Sequence, residues 1–179
     1  MNTAYLTFEH TLLRGIEAHF ADFETGRLAV LELAPEPSSE PSLIASIGFG
    51  GDGVRGTVTT LVSRAGARWL RPAGVSSAEE AFDCDVLGEV TNMLVGRMKN
   101  QLLGHGVALQ FGTPTVIVGR DVRVHASAEA AVSTWHTVEV ENEPRLCVRL
   151  DVSLVEGFAF ACDGAGPSSV GVEGTMLLF

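Results

Sequence analysis

Two long helical patterns and a series of β-branched runs parted by turn signals predict an α/β (α+β) domain of two layers. In it, two long helices pack on a mixed, largely antiparallel sheet of about six strands. The helical patterns run from Thr7 to Phe20 and from about Ala78 to Gly104. The apolar runs pair around Gly50-Gly-Asp-Gly53 and Glu141-Asn-Glu-Pro144, as the strands of hairpins do. With 46% hydrophobic and 19% charged residues, the 179-residue chain has the composition of a filled core and not of a disordered segment. It reads as one domain, 1–179, large enough to bury about 70% of its unfolded-chain surface.

In the first helix Phe8, Leu12, Ile16 and Phe20 recur every four residues, with Leu13 widening the apolar face. Arg27 to Leu33 alternates loosely and predicts a strand, ended by the proline-rich connection Pro35 to Pro41. Leu43 to Phe49 and Val54 to Val62 are then two strands of a hairpin. The glycine-rich turn between them lacks both the Lys-Ser/Thr ending of a phosphate-binding loop and the G-x-G-x-x-G spacing. Ser63 to Leu70 suggests a short helix stopped by Pro72. Ser76 or Ser77, followed by Glu79 and Glu80, suggests the N-cap and acidic first turn of the second long helix, and Gly104 its C-cap. Val107 to Phe111 and Thr115 to Val118 are strand-like around a bend at Thr113-Pro114, and Trp135 to Val140 and Arg145 to Leu154 form the second hairpin. Residues 157–179 are a C-terminal extension to which the sequence assigns no role.

A formal charge of −10 and a pI near 4.8 argue against nucleic acid and anionic membrane surfaces as partners. No basic segment precedes an apolar run at the N-terminus, and no apolar stretch reaches eighteen residues, so a cytoplasmic location is expected. Cys84, Cys147 and Cys162 are odd in number and far apart, and the five histidines show no ligand spacing among themselves or with a cysteine. No metal site and no cofactor of its own is expected, and no Gly-x-Ser-x-Gly elbow supports a self-contained hydrolase.

The chemistry is sought on the second long helix. Asp85, Glu89 and Asn92 stand at i, i+4 and i+7 and project from one narrow stripe, opposite an apolar face of Val86, Val90, Leu94, Met98 and Leu102. Such a stripe is ordinarily just a solvated face. Gly88 beside it and Gly96 one turn beyond Asn92 are the unusual features. Each costs a helix about 1 kcal/mol relative to Ala, and each lets another backbone come close, either a strand of the same chain or a partner.

These residues resemble the chemotaxis phosphatases of the CheC and CheX type, whose motif is Asp or Ser, three residues, Glu, two residues, Asn, and a distant Pro. Asp85, Glu89, Asn92 and Pro114 match it in order, and Gly96, Lys99, Leu103, Gly106 and Gly119 resemble the family's helix-to-strand passage. The Asn92-to-Pro114 spacing is a residue shorter than the usual one, a difference that a turn at Gly104-His-Gly106 absorbs. Three residues after Glu17 stands Phe20, so a second motif is absent and the resemblance narrows to the CheX type. It implies a homodimer that hydrolyses the aspartyl phosphate of a CheY-type response regulator, with Mg²⁺ supplied by the regulator. Glu89 and Asn92 would be catalytic; Asp85, Gly88, Gly96 and Lys99 would meet the partner; Pro114 would shape the adjoining surface. For the dimer, Leu146 to Leu154 and Thr175 to Phe179 are the expected edge strands. The alternatives are a non-catalytic module that binds a regulator, or a relative of the flagellar-switch proteins.

Overall fold

In the computed structural model the described residues are 3–21, 28–36, 39–72, 74, 79–126, 130–141 and 143–160. They form α1 (Thr3–Phe20), β1 (Leu28–Leu31), β2 (Ser42–Gly51), β3 (Val54–Ser63), α2 (Arg64–Trp69), α3 (Glu80–Gly104), β4 (Gln110–Phe111), β5 (Thr115–Gly119), β6 (Val132–Val140) and β7 (Glu143–Leu154). The two-layer α+β architecture stands. The sheet has seven strands instead of about six and is antiparallel at every pairing instead of mixed, in the order β1-β6-β7-β3-β2, with β4 and β5 sharing the outer edge of β2. The extra strand arises because the run ending at Phe111 pairs only through Gln110 and Phe111. After the break at Gly112 to Pro114, the chain returns to β2 through Thr115 to Gly119.

Both predicted hairpins form. β2 and β3 pair from Ser42↔Ser63 to Gly51↔Val54, and Gly53 closes the turn at φ 73°, a conformation that glycine adopts without strain. β6 and β7 are joined through Glu141, itself at φ 54°.

α1 and α3 pack on one face of the sheet, where Phe8, Leu12, Ile16, Phe20, Leu87, Leu94, Met98 and Leu102 are buried against Ile47, Val58, Leu146 and Val148. β7 lies in the middle of the sheet, between β6 and β3, so Leu146 to Leu154 is not an edge strand as expected. Among the described residues the edges belong to β1 on one side and to β4 and β5 on the other. Its alternate residues are buried on both faces. Leu146, Val148, Leu150 and Val152 face the helices. On the far face Arg149 is pinned by Asp151 at 3.0 Å, by Ser133 at 3.0 Å and by the Val124 carbonyl at 2.8 Å. Thr175 to Phe179 lies outside the described residues.

Among the described residues no helix is long and apolar enough to cross a membrane. Cys84 and Cys147 are free thiols, and Cys162 lies outside the described residues.

Candidate functional site on helix α3

The ends of α3 are fixed differently from the expected caps. Its N-cap is Glu79, which makes no side-chain capping bond; Ser76 and Ser77 lie outside the described residues. The first turn is held instead by Asp83, 3% exposed, whose Oδ1 accepts from Arg71 Nε and lies 2.7 Å from Arg71 Nη2. An apolar pocket would not tolerate that carboxylate unpaired, so the ion pair ties α3 to the segment after α2. At the other end the helix runs through Gly104 to a C-cap at His105. The left-handed position is taken by Gly106, at φ 79°, and Val107 N donates to the Leu102 carbonyl at 3.0 Å.

Between these ends the helix turns the predicted stripe outward: Asp85, Glu89 and Asn92 are all exposed. The buried side is broader than the apolar spacing implied. Val90, Leu94, Met98 and Leu102 are buried with Leu87, Thr91 and Val95, while Val86 is only half-buried. The extra width reflects two neighbours, since α3 packs against α1 as well as the sheet. An added Cβ at Gly15 of α1 would lie 3.5 Å from the Leu94 carbonyl and 3.5 Å from Arg97 Cβ.

The two glycines separate in role. Gly88 is buried, and a Cβ there would lie 3.5 Å from Val116 Cγ2 and 3.8 Å from Pro114 Cγ. The close approach at Gly88 is therefore made by the Pro114–Val116 segment of the same chain. Pro114, half-buried just before β5, shares that contact with Val116. Gly96 is different: a Cβ there would meet nothing within 4 Å. Lys99, one turn further on, holds its Nζ 5.4 Å from the centre of the Phe111 ring, within cation–π range. The structure thus brings Asp85, Glu89, Asn92, Gly96 and Lys99 onto one side of α3, with Pro114 beneath its flank.

Sequence reasoning missed the tether that holds this face in place. Thr91, next to Asn92, is fully buried; its hydroxyl lies 2.7 Å from the Leu87 carbonyl and 2.6 Å from the hydroxyl of Thr60, also fully buried on β3. A β-branched polar residue inside an apolar helix face was the only available sign. Also missed was Met93, 38% exposed beside Asn92. Elsewhere, His136 on β6 is buried beneath α1 with its Nε2 3.2 Å from Glu9 Oε1. Burial pushes its pKa down, against the opposing pull of Glu9 and Glu32. His19 is lowered by burial and by Arg97. Among the described residues, no three His, Cys, Asp or Glu side chains gather as a metal site would require.

Comparison with solved structures finds the same fold repeatedly. A CheX chemotaxis protein from Vibrio vulnificus superposes with a TM-score of 0.65 at 16% identity, covering 82% of this chain and 99% of its own. A chemotactic CheC-like protein from Shewanella oneidensis gives 0.62 at 18% identity, over 82% and 95%. A chain of the CheX-CheY-BeF₃-Mg²⁺ complex from Borrelia burgdorferi gives 0.60 at 13% identity, over 83% and 97%. No curated protein matches the sequence. At these identities the structural likeness speaks to fold alone. The family model described as chemotaxis phosphatase CheX, however, matches residues 43–136, more than half of the 179, from β2 through α3 to β6. The chain therefore belongs to the CheX family.

Proposed function

We propose that the protein is a phosphatase of a phosphorylated CheY-type response regulator and that it acts by inserting the exposed face of α3 beside the regulator's aspartyl phosphate. The observation that carries this reading is the pairing of Glu89 and Asn92 on one exposed face, one turn apart, in a chain of the CheX family. A CheX-CheY-BeF₃-Mg²⁺ complex among the fold relatives supports the choice of partner.

Phosphoryl transfer from an acyl phosphate asks little covalent chemistry of the protein; it asks for a positioned nucleophile and for compensated charge. Asn92 meets the first need. Its amide offers an acceptor and a donor to an attacking water, without adding negative charge next to the phosphate. Glu89 meets a lysine of the regulator through a charge-assisted contact and sets the register of insertion. Asp85 lies at the rim, a turn before Glu89, and Lys99 borders the other end of the face. Mg²⁺ belongs to the regulator, where it compensates charge on the phosphoryl oxygens.

Thr91 and Gly88 serve the same end from within the chain. One anchors α3 to β3, the other lets it settle on Pro114 and Val116, so Asn92 stands on a rigid support. The deciding experiment is phosphate release from an excess of phosphorylated regulator, with and without the protein. Absence of acceleration with the regulator encoded alongside moves the reading to a non-catalytic binding module.

A further inference from the structure

We infer that the open notch at Gly96, walled by Met93 and Asn100, seats an apolar side chain of the regulator's receiver domain and so decides which regulator docks. The inference rests on the phosphatase reading above and adds a specificity determinant to it. Its starting point is that, among the described residues, nothing packs on Gly96. Its backbone is ordinary helix and a Cβ would meet nothing within 4 Å, so neither conformation nor packing calls for glycine there. Glycine weakens a helix relative to alanine, and a half-buried site that could hold alanine without contact gains nothing from its absence. Met93 is the second such feature. It is 38% exposed on a helix otherwise amply buried by its opposite face, and it touches solvent where a polar residue would do as well.

The two features coincide at one place. On a helix, Gly96 is flanked at i−4 and i−3 by Asn92 and Met93, and at i+3 and i+4 by Lys99 and Asn100. The missing side chain leaves a dip about 3 Å deep, the difference between the backbone radius and the radius with side chains. Lys99 is drawn aside over Phe111, which keeps its ammonium from filling the dip. Asn92 forms one wall, so whatever enters lies next to the group proposed to hold the attacking water. Leu103, 57% exposed and two turns beyond Gly96, extends the apolar character of this face. The surface therefore combines carboxylates at Asp85 and Glu89, which favour a basic contact, with a shallow apolar seat. It fits a receiver whose phosphorylation pocket is bordered by a lysine and by an apolar side chain, and it rejects one that presents an acidic residue at the second position.

The test uses the full chain with a CheY-type regulator in two forms: phosphorylated, for turnover, and charged with beryllium fluoride and Mg²⁺, for binding. Gly96→Leu and Met93→Glu are expected to raise KM and weaken binding about tenfold, with kcat within about twofold, whereas Asn92→Ala lowers kcat. Gly96→Ala serves as the folding control and is expected to raise Tm by about 2–4 °C, because only helix propensity changes. Unchanged KM and binding in both Gly96→Leu and Met93→Glu, with normal wild-type turnover, overturn the notch and leave the phosphatase reading intact. If wild type binds the beryllium-fluoride form but does not turn over, the phosphatase reading fails; loss of that binding in Gly96→Leu then still upholds the notch. Loss of self-association instead of regulator binding in Gly96→Leu shows that a second copy occupies the notch and overturns the inference.

Discussion

Thr91 on α3 and Thr60 on β3 meet hydroxyl to hydroxyl at 2.6 Å, both fully buried, at the centre of the helix–sheet interface. With the Thr91 proton directed to the Leu87 carbonyl at 2.7 Å, Thr60 is the donor of the pair. Replacing Thr91 alone by Val leaves the buried Thr60 hydroxyl with the Ala45 carbonyl, at the long distance of 3.5 Å, as its acceptor, and we expect a loss of about 1–3 kcal/mol. Thr60→Val in the same background should restore much of it, because both polar groups are then gone. Urea denaturation of the two single variants and the double variant measures the coupling. Additive losses would show that the two hydroxyls do not act as a pair.

Asn92→Ala is expected to retain binding to the phosphorylated regulator and to lose about 10²-fold in the rate of phosphate release, the scale of a misplaced reacting group. Removal of Mg²⁺ should stop wild-type turnover through the regulator. Equal rates for wild type and Asn92→Ala would remove the amide from the mechanism.

Glu89 is exposed, so Glu89→Ala should change stability by no more than about 0.5 kcal/mol while weakening docking of the regulator. Thermal denaturation and binding of the beryllium-fluoride form are measured on the same preparation. A variant that unfolds would make Glu89 a structural residue.

His136 and His19 both have pKa values lowered on folding, chiefly by burial. The unfolded chain, with imidazoles near 6.5, then binds protons that the folded chain refuses. The histidine contribution to stability is accordingly complete above about pH 6.5 and is lost as pH falls below it. The Tm should drop between pH 7.5 and 5.5, and His19→Gln with His136→Gln should flatten that drop. A Tm that rises on acidification would mean that Glu9, 3.2 Å from His136, outweighs burial and holds the imidazolium in the folded protein.

The strand β5, Thr-Val-Ile-Val-Gly, carries no charge, is an edge among the described residues and exposes Ile117 at 55% and Val118 at 37%, which makes it the edge best suited to pairing with a second copy. A homodimer is expected, and Ile117→Lys should shift it to monomer in light scattering over a concentration series. A wild-type mass that stays monomeric at high micromolar concentration would exclude the pairing.

Much of this arrangement was legible because it repeats along the chain. The 3.6 period gave α1 and the exposed side of α3, and the turn at Asp52-Gly53 and the cluster at Glu141 to Pro144 gave both hairpins. What stayed hidden depends on residues far apart in sequence. Thr91 is buried because Thr60 awaits it, Asp83 because Arg71 does, and neither partner is visible in a local pattern. Gly88 and Gly96 look alike in sequence. Only the arrival of Pro114 and Val116 beneath one of them tells the packing glycine from the open one. The run from Val107 to Phe111 is shorter as a strand than its composition suggests, because at β4 only Gln110 and Phe111 pair. β7 was mistaken for an edge because strand order across a sheet is not written in strand order along a chain.

That central position of β7 governs how the domain can assemble. Among the described residues, the strand that completes the sheet is the last of the seven, and its pairing of Leu154 with Val54 closes a loop of about a hundred residues, a slow step by topology. Until it arrives, the nascent polypeptide holds two separate ribbons, β2 with β3 and its edge strands, and β1 with β6, each with an unfilled inner border. A chain halted before residue 143 leaves both borders open to the wrong neighbour, so α3 can be fully synthesised, with Asn92 in place, well before the layer beneath it exists as one sheet.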